Sequence, residues 1–222
     1  MFDVCGVVLA GGKSIRMGSD KAQLPWQGQT FLQAILASMQ GLFPQRIVVG
    51  RSGLDGDVLF AQDVRTGCGP LGGIYTALLI CKSPAALFVS CDTPLLDPTL
   101  YAKICMNQDP EHRRIVVSQT GSEDRSEDRY LVPKSGDGWS TMTGFVVPGT
   151  DLRFAFPVLI PKTYLPAIRR LLDAGEKSVK SLLGEALLTR VVLNGREEET
   201  VHSINTPRAY QELLEKGTLR VA

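Results

Sequence analysis

Leu9-Ala10-Gly11-Gly12-Lys13-Ser14-Ile15-Arg16-Met17-Gly18-Ser19-Asp20-Lys21 follows directly on the apolar run Val4-Cys5-Gly6-Val7-Val8-Leu9-Ala10. The run is apolar without alternation, the pattern of a central parallel strand covered on both faces. Three glycines and three cations then fall within one loop. A glycine pair at a strand's carboxyl end lets backbone approach a ligand, and clustered N–H groups can cradle an anion. Open α/β sheets bind their ligands at this edge. The loop therefore reads as a site for nucleotide phosphates.

Gly12-Lys13-Ser14 looks like the end of a P-loop, but that loop needs an earlier glycine where Val7 stands inside the strand. The dinucleotide fingerprint G-x-G-x-x-G is absent too.

Outward from the loop, strand-like runs alternate with helical patterns. Strands are predicted at Val4–Leu9, Arg46–Val49, Val58–Ala61, Ala86–Ser90, Ile115–Ser118, Ala155–Ile160 and Arg190–Leu193. Helices are predicted at Thr30–Gln40, Leu71–Cys81, Pro98–Met106, Lys162–Asp173, Ser178–Leu188 and Pro207–Lys216. Thr30, Ser178 and Thr206 suit N-caps, Pro98 and Pro207 suit first helical positions, and Gly41 and Gly175 suit helix ends. Such alternation implies right-handed βαβ units around a largely parallel sheet. Residues 1–222 are expected to form one domain, with a loop or hairpin insertion at about 119–151. There Ser122-Glu123-Asp124-Arg125 repeats as Ser126-Glu127-Asp128-Arg129. The insertion reads as a solvated hairpin tip or a substrate-facing flap, with Tyr130–Pro133 and Phe145–Val147 as candidate paired strands.

The 222 residues carry 24 Lys and Arg against 23 Asp and Glu. This balance offers no electrostatic case for nucleic acid or an anionic membrane as partner. No apolar stretch approaches the roughly 20 residues that span a bilayer. The start lacks the basic lead and apolar segment of a signal peptide. Five scattered cysteines (Cys5, Cys68, Cys81, Cys91, Cys105) form no C-x-x-C pair. They fit reduced thiols in a cytoplasmic protein.

Three further clusters carry chemistry. Ser90-Cys91-Asp92-Thr93-Pro94 closes a central strand, where Asp92 could hold Mg²⁺ with phosphate oxygens and water, or simply open a turn before Pro94. Asp63-Val64-Arg65-Thr66-Gly67-Cys68-Gly69-Pro70-Leu71-Gly72-Gly73-Ile74 surrounds a helix entry with glycines. Gly72 and Gly73 weaken a helix by about 1 kcal/mol each, which implies close packing. In Ile204-Asn205-Thr206-Pro207, a cap and a turn suffice as an explanation.

Together these clusters resemble one family. Leu9–Lys21 is similar to its L-A-G-G-x-x-x-R-M-G-x-D-K, Gly69–Ile74 to its G-P-L-x-G-I, Cys91–Pro94 to its C-D-T-P and Asn205–Pro207 to its N-T-P. Phe154–Pro161 followed by Ala174-Gly175-Glu176-Lys177-Ser178-Val179 resembles its later strand and helix pair. The family is the molybdenum cofactor guanylyltransferases of MobA type, and the resemblance covers most of the chain outside 119–151. It implies a Rossmann-like three-layer α/β/α nucleotidyltransferase fold. It also implies transfer of GMP from Mg-GTP to molybdopterin, with pyrophosphate leaving. On that reading Leu9, Ala10, Gly11 and Gly12 contact the nucleotide, with Gly69 and Pro70 beside it. Arg16 and Lys21 neutralise the triphosphate, Asp92 binds Mg²⁺ and Asp63 contacts the nucleoside. Asn205 helps with the metal or the acceptor phosphate. Other molybdenum cofactor enzymes or apo-molybdoenzymes are candidate protein partners. An anionic acceptor needs no strong general base, so His112 is expected at the surface and His202 as structural, and Lys13 as a solvent-facing neighbour.

Three departures bear on this. Gly50-Arg51-Ser52-Gly53 lacks the asparagine the family often carries, and Ser203 stands where it tends to have another. Leu24-Pro25-Trp26-Gln27-Gly28 also resembles the molybdopterin cytidylyltransferases. Those enzymes usually show L-A-A-G and lack G-P-L-x-G-I and C-D-T-P, so guanine is favoured. The alternatives are cytidylyl or other nucleotidyl transfer to molybdopterin or a sugar phosphate, or a non-catalytic nucleotide-binding module.

Overall fold

The computed structural model describes residues 1–11, 20–53, 56–120, 145–146 and 153–218. The elements in chain order begin with β1 (Cys5–Leu9), the short strands β2 (Pro25–Trp26) and β3 (Gln29–Thr30), and α1 (Phe31–Ser38). They continue with β4 (Arg46–Val49), β5 (Val58–Ala61), α2 (Gly69–Ile80), β6 (Ala85–Ser90), α3 (Pro98–Met106) and β7 (Ile115–Thr120). Then come β8 (Phe145–Val146), β9 (Arg153–Pro161), α4 (Leu165–Asp173), α5 (Val179–Glu185), β10 (Leu188–Val192), α6 (Gly195–Thr200) and α7 (Pro207–Thr218).

The large sheet runs β10-β7-β9-β6-β1-β4-β5, with β8 paired to β9. β1 is parallel to both β4 and β6, β4 to β5, and β7 to β10. β9 is antiparallel to β6 and β7. The chain steps from β1 to β4 and β5 on one side, then returns to lay β6 on the other. That reversal makes the carboxyl end of β1 the switch point of the sheet, where a crevice opens. Thr120 faces Arg153 across the β7–β9 ladder. The connection between these two strands therefore leaves and returns at the carboxyl edge as well.

Alternation along β1 splits the core into two layers. Val8 packs with Leu32, Ile35 and Leu36 of α1 and Leu100, Tyr101 and Ile104 of α3. Cys5 and Val7 face the other way, toward Leu71, Ile74, Ala77 and Leu78 of α2, Ile168 and Leu171 of α4 and Leu182 of α5. The result is a three-layer α/β/α fold with a largely parallel sheet, as expected. A third, smaller cluster joins Leu24, Trp26 and Phe31 to Ile204 and Leu213, docking α7 against the β2–β3 hairpin. The Tyr210 hydroxyl donates to Pro25 O at 2.8 Å, and its ring meets Phe31 edge-on.

The caps follow the sequence. Thr30 and Gln33 form a capping box on α1, Ser178 accepts from Lys180 N on α5, and Thr206 accepts from Ala209 N on α7. Gly41 and Gly175 take positive φ just past helix ends.

Elsewhere the sequence expectation needs correction. The helix expected to run to Leu188 ends at Glu185, because Ala186 is extended and Leu188 already pairs with Ile115. The segment expected to start helical at Lys162 opens with a 3-10 turn, Lys162–Tyr164, before α4. Phe145–Val146 is a strand, but it pairs with Phe154 and Arg153. Tyr130–Pro133 lies outside the described residues. β7 continues through Gln119 and Thr120, the first of which opened the stretch set apart as an insertion. The β2–β3 hairpin was not anticipated. Its two-residue turn is Gln27-Gly28, both at positive φ, as the twist of a tight hairpin requires. Among the described residues no helix is long and apolar enough to cross a membrane. All five cysteines are free.

Candidate functional site

The ladder around β1 continues past the strand end. Ala10 N donates to Val49 O at 2.9 Å, Gly50 N to Ala61 O at 2.9 Å, and Cys91 N to Leu9 O at 3.1 Å. These bonds hold the loops after β1, β4, β5 and β6 side by side. Gly11 and Gly50 meet backbone to backbone: a Cβ on Gly11 would stand 3.2 Å from Gly50 Cα and 3.6 Å from Asp63 Oδ2. Gly50 has φ +90°, and a Cβ there would collide with the Gly11 backbone. Leu9, Ala10 and Gly11 thus line the switch point. Gly12, Lys13 and Arg16 lie outside the described residues.

On the β6 side, three of the singled-out residues converge. Lys21 Nζ donates to Asp92 Oδ2 at 3.2 Å and also to Asn205 Oδ1. Asp20 caps the 3-10 turn Lys21–Gln23, accepting from Ala22 N, and so aims Lys21. Ile204 N donates to Asp92 O at 2.8 Å, which seats Asn205 against the β6 loop. Asp92 is 8% exposed, and its Oδ1 has no hydrogen-bond partner. The turn before Pro94 is closed by Thr93, whose N and Oγ1 both donate to Ser90 O. The Asp92 carboxylate is therefore left for Lys21 and for whatever Oδ1 receives.

A buried carboxylate oxygen without a donor fits a cation, since it otherwise costs about 1–3 kcal/mol. Among the described residues no three His, Cys, Asp or Glu gather as a closed metal cage. One carboxylate with an amide oxygen beside it suits Mg²⁺, which takes its remaining ligands from phosphate and water.

On the β5 side, Asp63 is half-buried, and burial pushes its carboxyl above the ordinary range. Its Oδ1 is also unpartnered. The α2 glycines serve this corner. A Cβ on Gly73 would lie 3.1 Å from Leu9 Cδ2 and 3.5 Å from Asp63 Oδ1, and one on Gly72 would lie 2.8 Å from Cys68 Cβ. Both are packed as tightly as their helix-weakening presence implied. Gly69, at φ +61°, abuts Lys177 O, which also accepts from Leu71 N at 3.3 Å. Pro70 follows in the first turn of α2, so the G-P-L entry is tied to the Gly175-Glu176-Lys177 segment.

Two residues of this edge were not singled out from the sequence: Asp20, beyond its place in the motif, and Arg51, whose guanidinium pairs with it. The available signal was a cation two residues past a strand end in the loop noted for its missing asparagine. Both histidines stand outside the convergence of Lys21, Asp92 and Asn205. His112 is half-buried, with Nδ1 2.9 Å from Gln108 Nε2.

The chain shares its fold with solved structures over nearly its whole length. The 2-C-methyl-D-erythritol 4-phosphate cytidylyltransferase of Thermus thermophilus aligns over 97% of this chain and 98% of its own at TM-score 0.69 and 18% identity. The protein Rv0371c of Mycobacterium tuberculosis, solved as a complex with manganese, aligns over 96% and 98% at TM-score 0.60 and 20% identity. Residues 6–191 match the family model of the MobA-like NTP transferase domain, and the chain belongs to that family. Among curated relatives, the "Probable molybdenum cofactor guanylyltransferase" of Methanothermobacter thermautotrophicus is 43% identical over 98 residues, 40% of this chain and 50% of that protein. The molybdenum cofactor guanylyltransferase of Xanthomonas euvesicatoria is 40% identical over 100 residues, 45% of this chain and 52% of that protein. The chain thus spans about half the length of these relatives where it matches them.

Proposed function

We propose that this chain, as one domain of residues 1–222, transfers GMP from Mg-GTP to the terminal phosphate of molybdopterin and releases pyrophosphate. The observation that carries the reading is the meeting of Lys21, Asp92 and Asn205 beside the glycine-lined end of β1. The matched family and the guanylyltransferase names of its relatives support the donor and acceptor.

A phosphate oxygen of the acceptor attacks the α-phosphorus of GTP, one new P–O bond forms, and the bond to the pyrophosphate oxygen breaks. Such transfer depends mainly on alignment and charge neutralisation. Asp92, with Asn205, would hold Mg²⁺, which when bound supplies charge neutralisation at the phosphate oxygens. Lys21 offers a compact positive charge to the triphosphate and to the departing pyrophosphate, with Arg16 as its partner from the same loop. The backbone of Leu9, Ala10, Gly11 and Gly12 approaches the nucleotide. Asp63, on the β5 side, accepts from the nucleoside, and Gly69 and Pro70 shape the wall beside it. The acceptor arrives already anionic, so no histidine is assigned as a base. The setting is cytoplasmic, in keeping with five free thiols.

The test is pyrophosphate release from GTP or CTP with Mg²⁺, upon addition of molybdopterin. Release that requires molybdopterin and prefers GTP is expected. Preference for CTP would replace the donor, and absence of release with either would leave only a nucleotide-binding module.

A further inference from the structure

Among the described residues, three buried side-chain atoms have no hydrogen-bond partner: Asp63 Oδ1, Asp92 Oδ1 and Arg51 Nε. Each belongs to the second residue past a strand of the switch-point edge, namely β5, β6 and β4. Two are acceptors, and both already have roles in the proposed reaction. Arg51 Nε is the one donor of the three.

Arg51 is otherwise anchored. Its Nη2 pairs with Asp20 Oδ1, the same oxygen that accepts the Ala22 N–H. Its side chain keeps only 20% of its accessible surface. Asp20 directly precedes Lys21, whose Nζ lies on Asp92 Oδ2, so the pair with Asp20 brings the guanidinium toward the β6 loop. It therefore stands on the Lys21 and Asp92 side of the crevice. An anchored guanidinium with one buried N–H left over is a fork waiting for an acceptor, and phosphate oxygens match its geometry and charge. Because Asp20 already fixes the side chain, little rotamer entropy is lost when the acceptor arrives.

We propose that Arg51 is a phosphate-binding residue of this site, its Nε–H donating to a non-bridging phosphate oxygen of the bound nucleotide while Nη2 stays on Asp20. The assignment rests on the nucleotide-transfer reading above and is independent of which base is bound. It gives a function to a loop that carries arginine in a stretch without the family's asparagine.

The test is calorimetric titration of the full chain, wild type against Arg51→Gln, Arg51→Lys and Asp20→Asn. The probes are Mg-GTP, Mg-CTP, Mg-pyrophosphate and guanosine, alongside ligand-free melting temperatures. Arg51→Gln is expected to weaken the preferred Mg-nucleotide and Mg-pyrophosphate by at least about tenfold while guanosine is unchanged, the scale of one charge-assisted hydrogen bond. Arg51→Lys, which keeps the charge and loses the fork, falls between and covers the case where Gln fails to fold. Asp20→Asn keeps the cap, since Asn and Asp cap equally well, and is expected to weaken binding less than Arg51→Gln. Equal affinity of Arg51→Gln and wild type overturns the assignment, as does an equal loss for guanosine. So does an Asp20→Asn loss as large as that of Arg51→Gln, which would make Arg51 a brace for Asp20 only. A wild type that binds neither nucleotide overturns the nucleotide-transfer reading itself.

Discussion

The backbone N–H of Ile204 donates to the carbonyl oxygen of Asp92 at 2.8 Å. This bond carries Asn205 to the β6 loop, while the Ile204 side chain, 6% exposed, is packed into the cluster that docks α7. The two neighbours should therefore separate stability from activity. Ile204→Ala is expected to cost about 2–4 kcal/mol of stability, read as a fall in melting temperature. Asn205→Ala is expected to leave the melting temperature nearly unchanged and to raise the Mg²⁺ concentration needed for half-maximal turnover severalfold.

Asp92→Asn keeps the shape and removes the charge. Turnover, followed by pyrophosphate release, should drop at least about 100-fold, as expected where a carboxylate holds a metal against developing charge. Ligand-free stability should change little, because no donor is lost at the Oδ1 position and the remaining amide oxygen can still accept from Lys21. Turnover close to wild type would refute the metal role.

Gly50 and Gly28 both have positive φ, but only Gly50 faces another backbone. Gly50→Ala is expected to cost about 3 kcal/mol through strain and collision with Gly11, a fall of roughly 6–12 °C in melting temperature. Gly28→Ala meets open space and should cost only about 1 kcal/mol. Equal effects would mean the contact between the two loops is slack.

Asp63 makes the ligand-free protein pH-dependent. Its carboxyl is raised above the ordinary value by burial, so the folded chain holds its proton at pH values where the unfolded chain has lost it. Stability from this group therefore falls as pH rises from the ordinary aspartate value through the folded one, and the loss persists above it. Asp63→Asn should melt higher than wild type near neutral pH, and the gap should close as pH drops toward about 4. A gap that does not change with pH would show that the carboxylate is not the cause.

The central part of this fold was legible because its physics is local. The Val4–Leu9 run, the strand at Val58–Ala61 and the caps at Thr30 and Ser178 announce themselves over a few residues. The antiparallel β9, laid between β6 and β7, could not be read in that way. Its apolar Pro157–Ile160 stretch looks alike in either direction, and only long-range pairing sets its sense. The site divides along the same line. Glycines and cations after β1 advertise a phosphate loop on their own. The meeting of Lys21, Asp92 and Asn205 is created by α7 docking on a hairpin too short to leave a periodic signal. Arg51 was passed over because an arginine after a strand end is ordinary until its Nε is seen to be buried and unpartnered.

Thr120 and Arg153 face one another as rungs of a single ladder. The two ends of the connection are thus held together whatever the number of residues that join them. Doubling a flexible connection costs only about 0.6 kcal/mol in closure entropy. Here, then, the architecture can be rewritten cheaply: new sequence can be tried between Thr120 and Arg153 while the strand order of the sheet stays as it was. A fold built this way can take up new length at one edge without reordering its strands.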